Sequence, residues 1–211
     1  MSDGLFITFE GIDGCGKSTQ ITKLSEFLKE NSKDVILVRE PGGTVVGEKI
    51  RGVLLDKKND GMDPVCELLL FEAARAQIVS EVIRPALVEG KIVISDRFFD
   101  STFAYQGYAR ELGEDMVEML NSTATCGLEP DITFLLDIDP REALVRRGKR
   151  GEETDRMEAL GTSFQAKVRD GYLKLEAKSD RVKKIDASRD MDVIFDDIRG
   201  IVTDELNKRG I

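Results

Sequence analysis

Gly11-Ile12-Asp13-Gly14-Cys15-Gly16-Lys17-Ser18 matches G-x-x-x-x-G-K-[ST] without a mismatch. It stands directly after the β-forming run Leu5 to Phe9 and directly before Ile21, Leu24 and Leu28 at helical spacing. At average residue usage such a match arises by chance in under about 1% of chains of this size, and the strand before it and helix after it make chance rarer still. Glycines let the backbone wrap closely around a phosphate, successive N–H groups point inward, and the following helix adds the positive end of its dipole. The motif therefore predicts a nucleotide whose phosphates are held by Gly11 through Ser18 and by Thr19. Lys17 is expected to reach the β- and γ-phosphates, and the Ser18 hydroxyl to meet Mg²⁺.

The rest of the chain repeats the opening rhythm. Val35 to Val38, Ile92 to Ser95, Ile132 to Ile138 and, more weakly, Val182 to Ile185 are short continuous apolar runs separated by helical patterns. Strands of that kind belong to a parallel sheet covered on both faces. Asp63-Pro64 and Asp139-Pro140 place a capping acid before a proline at the first helical position, and Asp190 caps a last helix carrying Ile194, Ile198, Ile201 and Val202. Pro85 predicts a kink or early end in the long segment from Pro64, and Gly90 its stop. The expectation is one domain over 1–211, an α/β P-loop NTPase fold with a five-stranded parallel sheet and helices on both faces.

Composition narrows the chemistry. A formal charge of −9 argues against a broad surface for nucleic acid or anionic membrane. With no histidine, a Ser-His-Asp hydrolase and a His-based zinc site are excluded, leaving Lys, Arg, carboxylates and backbone dipoles. Cys15, Cys66 and Cys126 are odd in number and form no CxxC pair, so they read as free, buried thiols in a reducing compartment. No run has the length of a membrane span, and Met-Ser-Asp-Gly does not open like a signal peptide, so a cytoplasmic location is expected.

A P-loop alone leaves kinases, GTPases and motor ATPases open. The guanine motif N-K-x-D is missing, since the pair Asn207-Lys208 is followed by Arg209-Gly210. Phe71 and Arg75 lie four apart on one predicted helix, where a ring beside a guanidinium can stack a base and hydrogen-bond its edge. Asp96-Arg97 follows an apolar strand, at the carboxyl end where open α/β sheets bind ligands. Ser101, Thr102, Tyr105 and Gln106 fall on adjacent faces of a short helix after it.

Together with the P-loop, the segments Arg39 to Thr44, Leu70 to Arg75, Asp96 to Phe98 and Ser101 to Gly107 resemble the thymidylate kinase family over nearly the whole chain. The resemblance implies transfer of the γ-phosphoryl group of ATP to dTMP, with Mg²⁺ and in a homodimer. It implies thymine stacked on Phe71, Arg75 donating to the base O4, Arg97 on the acceptor phosphate, Asp96 in the metal's hydration shell and Asp13 near the 3′-hydroxyl. Ser101, Thr102 and Gln106 would contact the base, Tyr105 would pack where a 2′-hydroxyl would sit, and Glu40 would belong to the same pocket. Another nucleotide or nucleoside kinase of this fold, or a P-loop switch protein, stays open as the alternative.

Arg146, Arg147, Lys149, Arg150 and Arg156 crowd one stretch of an acidic chain and read as a lid at about 146–157. Phosphoryl transfer spreads charge over equatorial oxygens and needs a cation to close over them. Members of the family carry that arginine in the P-loop or in the lid. Gly14 after Asp13 points to the lid, with Arg150 as the first candidate and Arg147 the second, while Asp155 to Glu158 resembles the family's lid-end motif, which implies Asp155 and Glu158 near metal or acceptor.

Overall fold

The computed structural model describes residues 4–148 and 155–211. Five parallel strands, β1 Leu5–Glu10, β2 Val35–Arg39, β3 Ile92–Asp96, β4 Ile132–Asp137 and β5 Val182–Asp186, stand in the order β2-β3-β1-β4-β5. Leu5 lies opposite Ile92 and Ile7 opposite Ile132, so β1 is flanked on both sides and is wholly buried. Its side chains alternate between two cores. Leu5, Ile7 and Phe9 join Leu24, Leu28, Val168, Ile198 and Val202, whereas Phe6 joins Val93, Ile78, Ile83 and Leu87. Each strand expected from an apolar run is present, and each ends on a charged residue one or more positions further on or, for β4, just short of the run's end.

Between the strands run α1 Lys17–Glu30, α2 Val45–Leu55, α3 Pro64–Ile78, α4 Arg84–Val88, α5 Phe99–Thr102, α6 Glu114–Thr125, α7 Pro140–Gly148, α8 Gly161–Glu176 and α9 Met191–Arg209. Asp63 accepts from the Val65 and Cys66 amides, Asp139 from Arg141 and Asp190 from Asp192, as their places before each helix imply. The break expected at Pro85 comes earlier, as a π-helical turn at Val79–Ile83 that carries α3 into α4; Gly90, at φ 78°, ends the run. The short helix expected after β3 is four residues of α-helix continued by a π-helical stretch, Phe103–Ala109. Cys15 is buried in the core, but Cys66 and Cys126 are exposed, contrary to the expectation for all three; Cys66 sits on the outer side of α3 beside Val65 and Leu69, and Cys126 ends α6 in the left-handed conformation. Among the described residues no helix is long and apolar enough to cross a membrane.

The chain leaves the centre of the sheet at β1, goes to the edge at β2, returns as β3 and then crosses to β4. That reversal opens a crevice beyond the carboxyl ends of β1 and β3, where Glu10, Asp96 and the P-loop emerge.

Candidate active site

The turn leaving β1 needs its glycines. Gly11, Gly14 and Gly16 have φ of 132°, 92° and 101°, a region other residues adopt only under strain. A Cβ on Gly14 would also stand 2.4 Å from the Ala143 carbonyl oxygen. Gly16 leads into α1, whose first turn holds no acidic residue to compete with an anion at its positive end. Lys17 is folded back over the loop, donating to the Gly11 and Ile12 carbonyls at 3.1 and 3.4 Å, and Ser18 is exposed at the rim. Ile12 and Cys15 anchor the turn in the core, and Thr19 is half-buried on α1.

A cavity of about 260 Å³ opens from this turn. Asp13, Gly14, Gly16, Lys17 and Ser18 form one wall, and Phe71 and Arg75 of α3 another. Asp96 and Arg97 close it at the end of β3, Glu40 at the end of β2, and Ser101, Thr102, Tyr105 and Gln106 along the segment after α5. Residues from Asp13 to Gln106 are thus gathered around one space. Arg51 of α2 lines it too, bound through Nη1 to the Pro41 carbonyl at 2.9 Å. Nothing in the sequence had distinguished Arg51 from other helix-surface cations.

Arg97 adopts φ 71°, an uncommon conformation for a side chain-bearing residue that turns it from the strand into the cavity. Its Nη2 donates to Asp13 at 2.6 Å, and its Nη1 to the hydroxyls of Ser101 and Tyr172, each at 3.1 Å. Tyr105 lies under the guanidinium, 5.3 Å from ring centroid to carbon, and its hydroxyl is 3.5 Å from Asp13. Burial opposes charge on Asp13, but Arg97 and Lys17 outweigh it and hold that carboxyl below its ordinary value. Burial likewise opposes charge on Arg97, yet Tyr105, Asp13, Tyr172 and Glu10 around it make it a firmer cation than usual. Glu10 and Tyr172 of this group went unnoticed in the sequence. The only hint was an acid closing an otherwise apolar strand.

Arg75 is not a free surface cation. It is 1% exposed, its Nε bound to Glu40 at 2.9 Å and its Nη1 to Glu72 at 2.5 Å and Asn121 at 3.0 Å. Among the described residues Nη2 has no hydrogen-bond partner, and it is the atom of this guanidinium left for a ligand. Phe71, one turn before it on α3, is half-buried at the cavity wall. Gln106 is buried, with its amide nitrogen given to Glu67 at 2.8 Å.

Among the described residues, the cations of the basic stretch after β4 do not all face the cavity. Arg146 is bound to the Ala187 carbonyl at 2.7 Å and to Glu142, because α7 packs beside the chain leaving β5. Arg156 is 4% exposed, its Nε bound to the Leu54 carbonyl at 2.6 Å and its Nη2 in an ion pair with the buried Glu67 at 2.7 Å. Burial against Glu67 removes Arg156 from the set of lid cations, and ties to the Ala187 and Ser188 carbonyls remove Arg146. Arg147 lines the cavity, whereas Arg150 lies outside the described residues. Asp155 also lines it; the Glu158 side chain lies outside the described set.

The Ser18 hydroxyl and the carboxylates of Asp96 and Asp155 give the cavity hard oxygen donors. Among the described residues no three His, Cys, Asp or Glu side chains form a closed metal cage. Few protein ligands of that kind suit Mg²⁺, which keeps several waters and binds chiefly through substrate phosphates.

Known proteins give the same picture. The family model described as thymidylate kinase matches residues 9–198. The thymidylate kinase of Chlorobium luteolum is 52% identical over 97% of this chain and 98% of its own, and that of Thermoanaerobacter sp. strain X514 is 50% identical over 94% and 97%. The crystal structure of thymidylate kinase from Ehrlichia chaffeensis superposes with a TM-score of 0.74 at 36% identity, covering 94% of this chain and 98% of that one. With a P-loop facing Phe71, Arg75 and Arg97 across one cavity, and relatives at half identity along nearly its full length, this chain belongs to the thymidylate kinase family.

Proposed function

We propose that this chain transfers the γ-phosphoryl group of ATP to dTMP, giving ADP and dTDP, as one domain working in a cytoplasmic homodimer. The observation that carries the reading is that donor and acceptor residues share one cavity: Lys17 and Ser18 face Phe71, Arg75 and Arg97 across a space of about 260 Å³. Gly11 through Thr19 hold the ATP phosphates. Lys17, now turned onto loop carbonyls, swings to the phosphates and exchanges two weak acceptors for anionic oxygens.

Thymine stacks on Phe71, with Arg75 Nη2 toward its O4 and Thr102, Gln106 and Glu40 around it. Arg97 and Arg51 clamp the acceptor phosphate. Asp13 turns from Arg97 to the 3′-hydroxyl, and Tyr105 closes the place of a 2′-hydroxyl. No general base is needed, since a phosphate monoester with second pKa near 6 is mostly dianionic at pH 7. Ser18 and, through water, Asp96 would hold Mg²⁺, which when bound would supply charge neutralisation to the phosphates. Arg150, or Arg147 at the cavity wall, stabilises charge on the transferring group. The homodimer is supported by apolar residues left exposed on the packed pair α2 and α3, Val46, Val53, Val65 and Leu69.

A coupled assay of ADP release tests the reading. Release should depend on dTMP and be weaker with dUMP, dCMP or AMP. Equal release without an acceptor would refute transfer and favour a P-loop switch protein; preference for another nucleotide would favour a sister kinase.

A further inference from the structure

Glu10 closes β1 with a carboxylate that is completely buried. Its Oε1 accepts from the Phe98 amide at 2.7 Å, and its Oε2 from the hydroxyls of Ser101 at 2.6 Å and Tyr172 at 2.8 Å. Those same hydroxyls accept from Arg97 Nη1. The direct distance from Arg97 Nη1 to Glu10 Oε2 is 4.0 Å, so the two charges are joined chiefly through the hydroxyls. Hydrogen-bond direction follows from this. Arg97 can only donate, so each hydroxyl accepts from it and keeps its proton for Glu10 Oε2 or for the other hydroxyl, 2.8 Å away. A carboxylate oxygen can accept from both.

We infer that Glu10 is a positioning residue: acting through Ser101 and Tyr172, it aims the Arg97 guanidinium at the acceptor phosphate. The inference rests on the assignment of Arg97 to that phosphate. The left-handed backbone at Arg97 makes such support necessary, since a residue in a sparsely populated conformation keeps it only when its surroundings over-determine it. Glu10 supplies two of the ties. It holds the amide of Phe98, the next residue, and through the hydroxyls it holds the guanidinium. The third tie, Asp13 on Nη2, is the one that must yield when Asp13 turns to a sugar, and Glu10 then keeps the guanidinium in place.

Glu10→Gln tests this because neither amide orientation can accept from both hydroxyls and from the Phe98 amide at once. With its NH₂ at the Oε2 position the acceptor shared by the hydroxyls is lost; flipped, the NH₂ faces the Phe98 N–H. Binding of dTMP and of thymidine, which lacks the phosphate, is measured by calorimetry for the unaltered protein, Glu10→Gln, Tyr172→Phe and Arg97→Ala. Glu10→Gln should weaken dTMP about tenfold or more, the effect of losing a charge-assisted tie, and leave thymidine within about twofold. Tyr172→Phe should do the same to a smaller extent, and it carries the test if Glu10→Gln does not fold. Equal weakening of both ligands, or of neither, would overturn the positioning role. If Arg97→Ala also fails to separate dTMP from thymidine, the assignment of Arg97 itself is what fails; if it separates them and both other variants do not, only the role of Glu10 is lost.

Discussion

Replacing Glu40 by Gln should let the protein gain stability relative to the unaltered chain as pH rises from about 5 to about 8, although Glu40 is ion-paired with Arg75. Two carboxyls, Glu40 and Glu72, surround one buried guanidinium, and among the described residues Glu40 Oε1 and Glu72 Oε2 each have no hydrogen-bond partner. One cation cannot compensate two buried anions. Burial therefore raises Glu40 from its ordinary 4.5 to about 7, outweighing the pull of Arg75. A raised carboxyl means that the folded state holds a proton the unfolded state has lost. Its contribution to stability is complete below pH 4.5 and disappears as pH rises to about 7. At about 1.4 kcal/mol per pH unit this amounts to on the order of 3 kcal/mol. Gln keeps an acceptor for Arg75 Nε and does not titrate. Urea unfolding of both proteins at about pH 5 and about pH 8 should show the variant gaining on the unaltered chain by on the order of 3 kcal/mol between the two. A variant whose difference from the unaltered chain is the same at both pH values would show Glu40 to be an ordinary ionised partner of Arg75 and refute the reasoning.

Lys17→Ala should lower kcat by about a hundredfold or more, since a cation on the transferring phosphates is lost; steady-state turnover with saturating ATP and dTMP checks it, and near-normal turnover would remove Lys17 from the chemistry. Phe71→Ala should weaken dTMP by about 1–3 kcal/mol of stacking with ATP affinity unchanged, as read by titration calorimetry. Glu67→Ala should cost about 3–5 kcal/mol of stability, because it leaves the buried Arg156 and the part-buried Arg110 without their shared anion. Denaturant unfolding would expose a small effect as evidence that Arg156 finds another partner.

Local patterns in the chain determined the five strands, the helix starts at Asp63, Asp139 and Asp190, and the phosphate-binding turn. Each depends on neighbours within about a dozen residues: an apolar run for a buried strand, a cap beside the amide it accepts, a glycine where φ must be positive. The family motifs also marked Phe71, Arg75, Arg97 and Tyr105 as members of one site, and they do line one cavity.

What those side chains are bound to was decided only by the packed chain. Arg75 belongs to Glu40 and Asn121, which come from 35 and 46 positions away, and Arg97 reaches Glu10 by way of Tyr172, 75 positions on. Arg156, one cation of a basic stretch in the sequence, is a buried partner of Glu67; Arg146 is tied to the chain beyond β5. The physical reason is desolvation. A buried charge must find its partners wherever the fold brings them, and no periodicity along the chain records that choice. The glycine-rich turn was thus written in the sequence, while the aim of the arginine facing it comes from three elements, β1, α5 and α8, meeting at the end of the sheet.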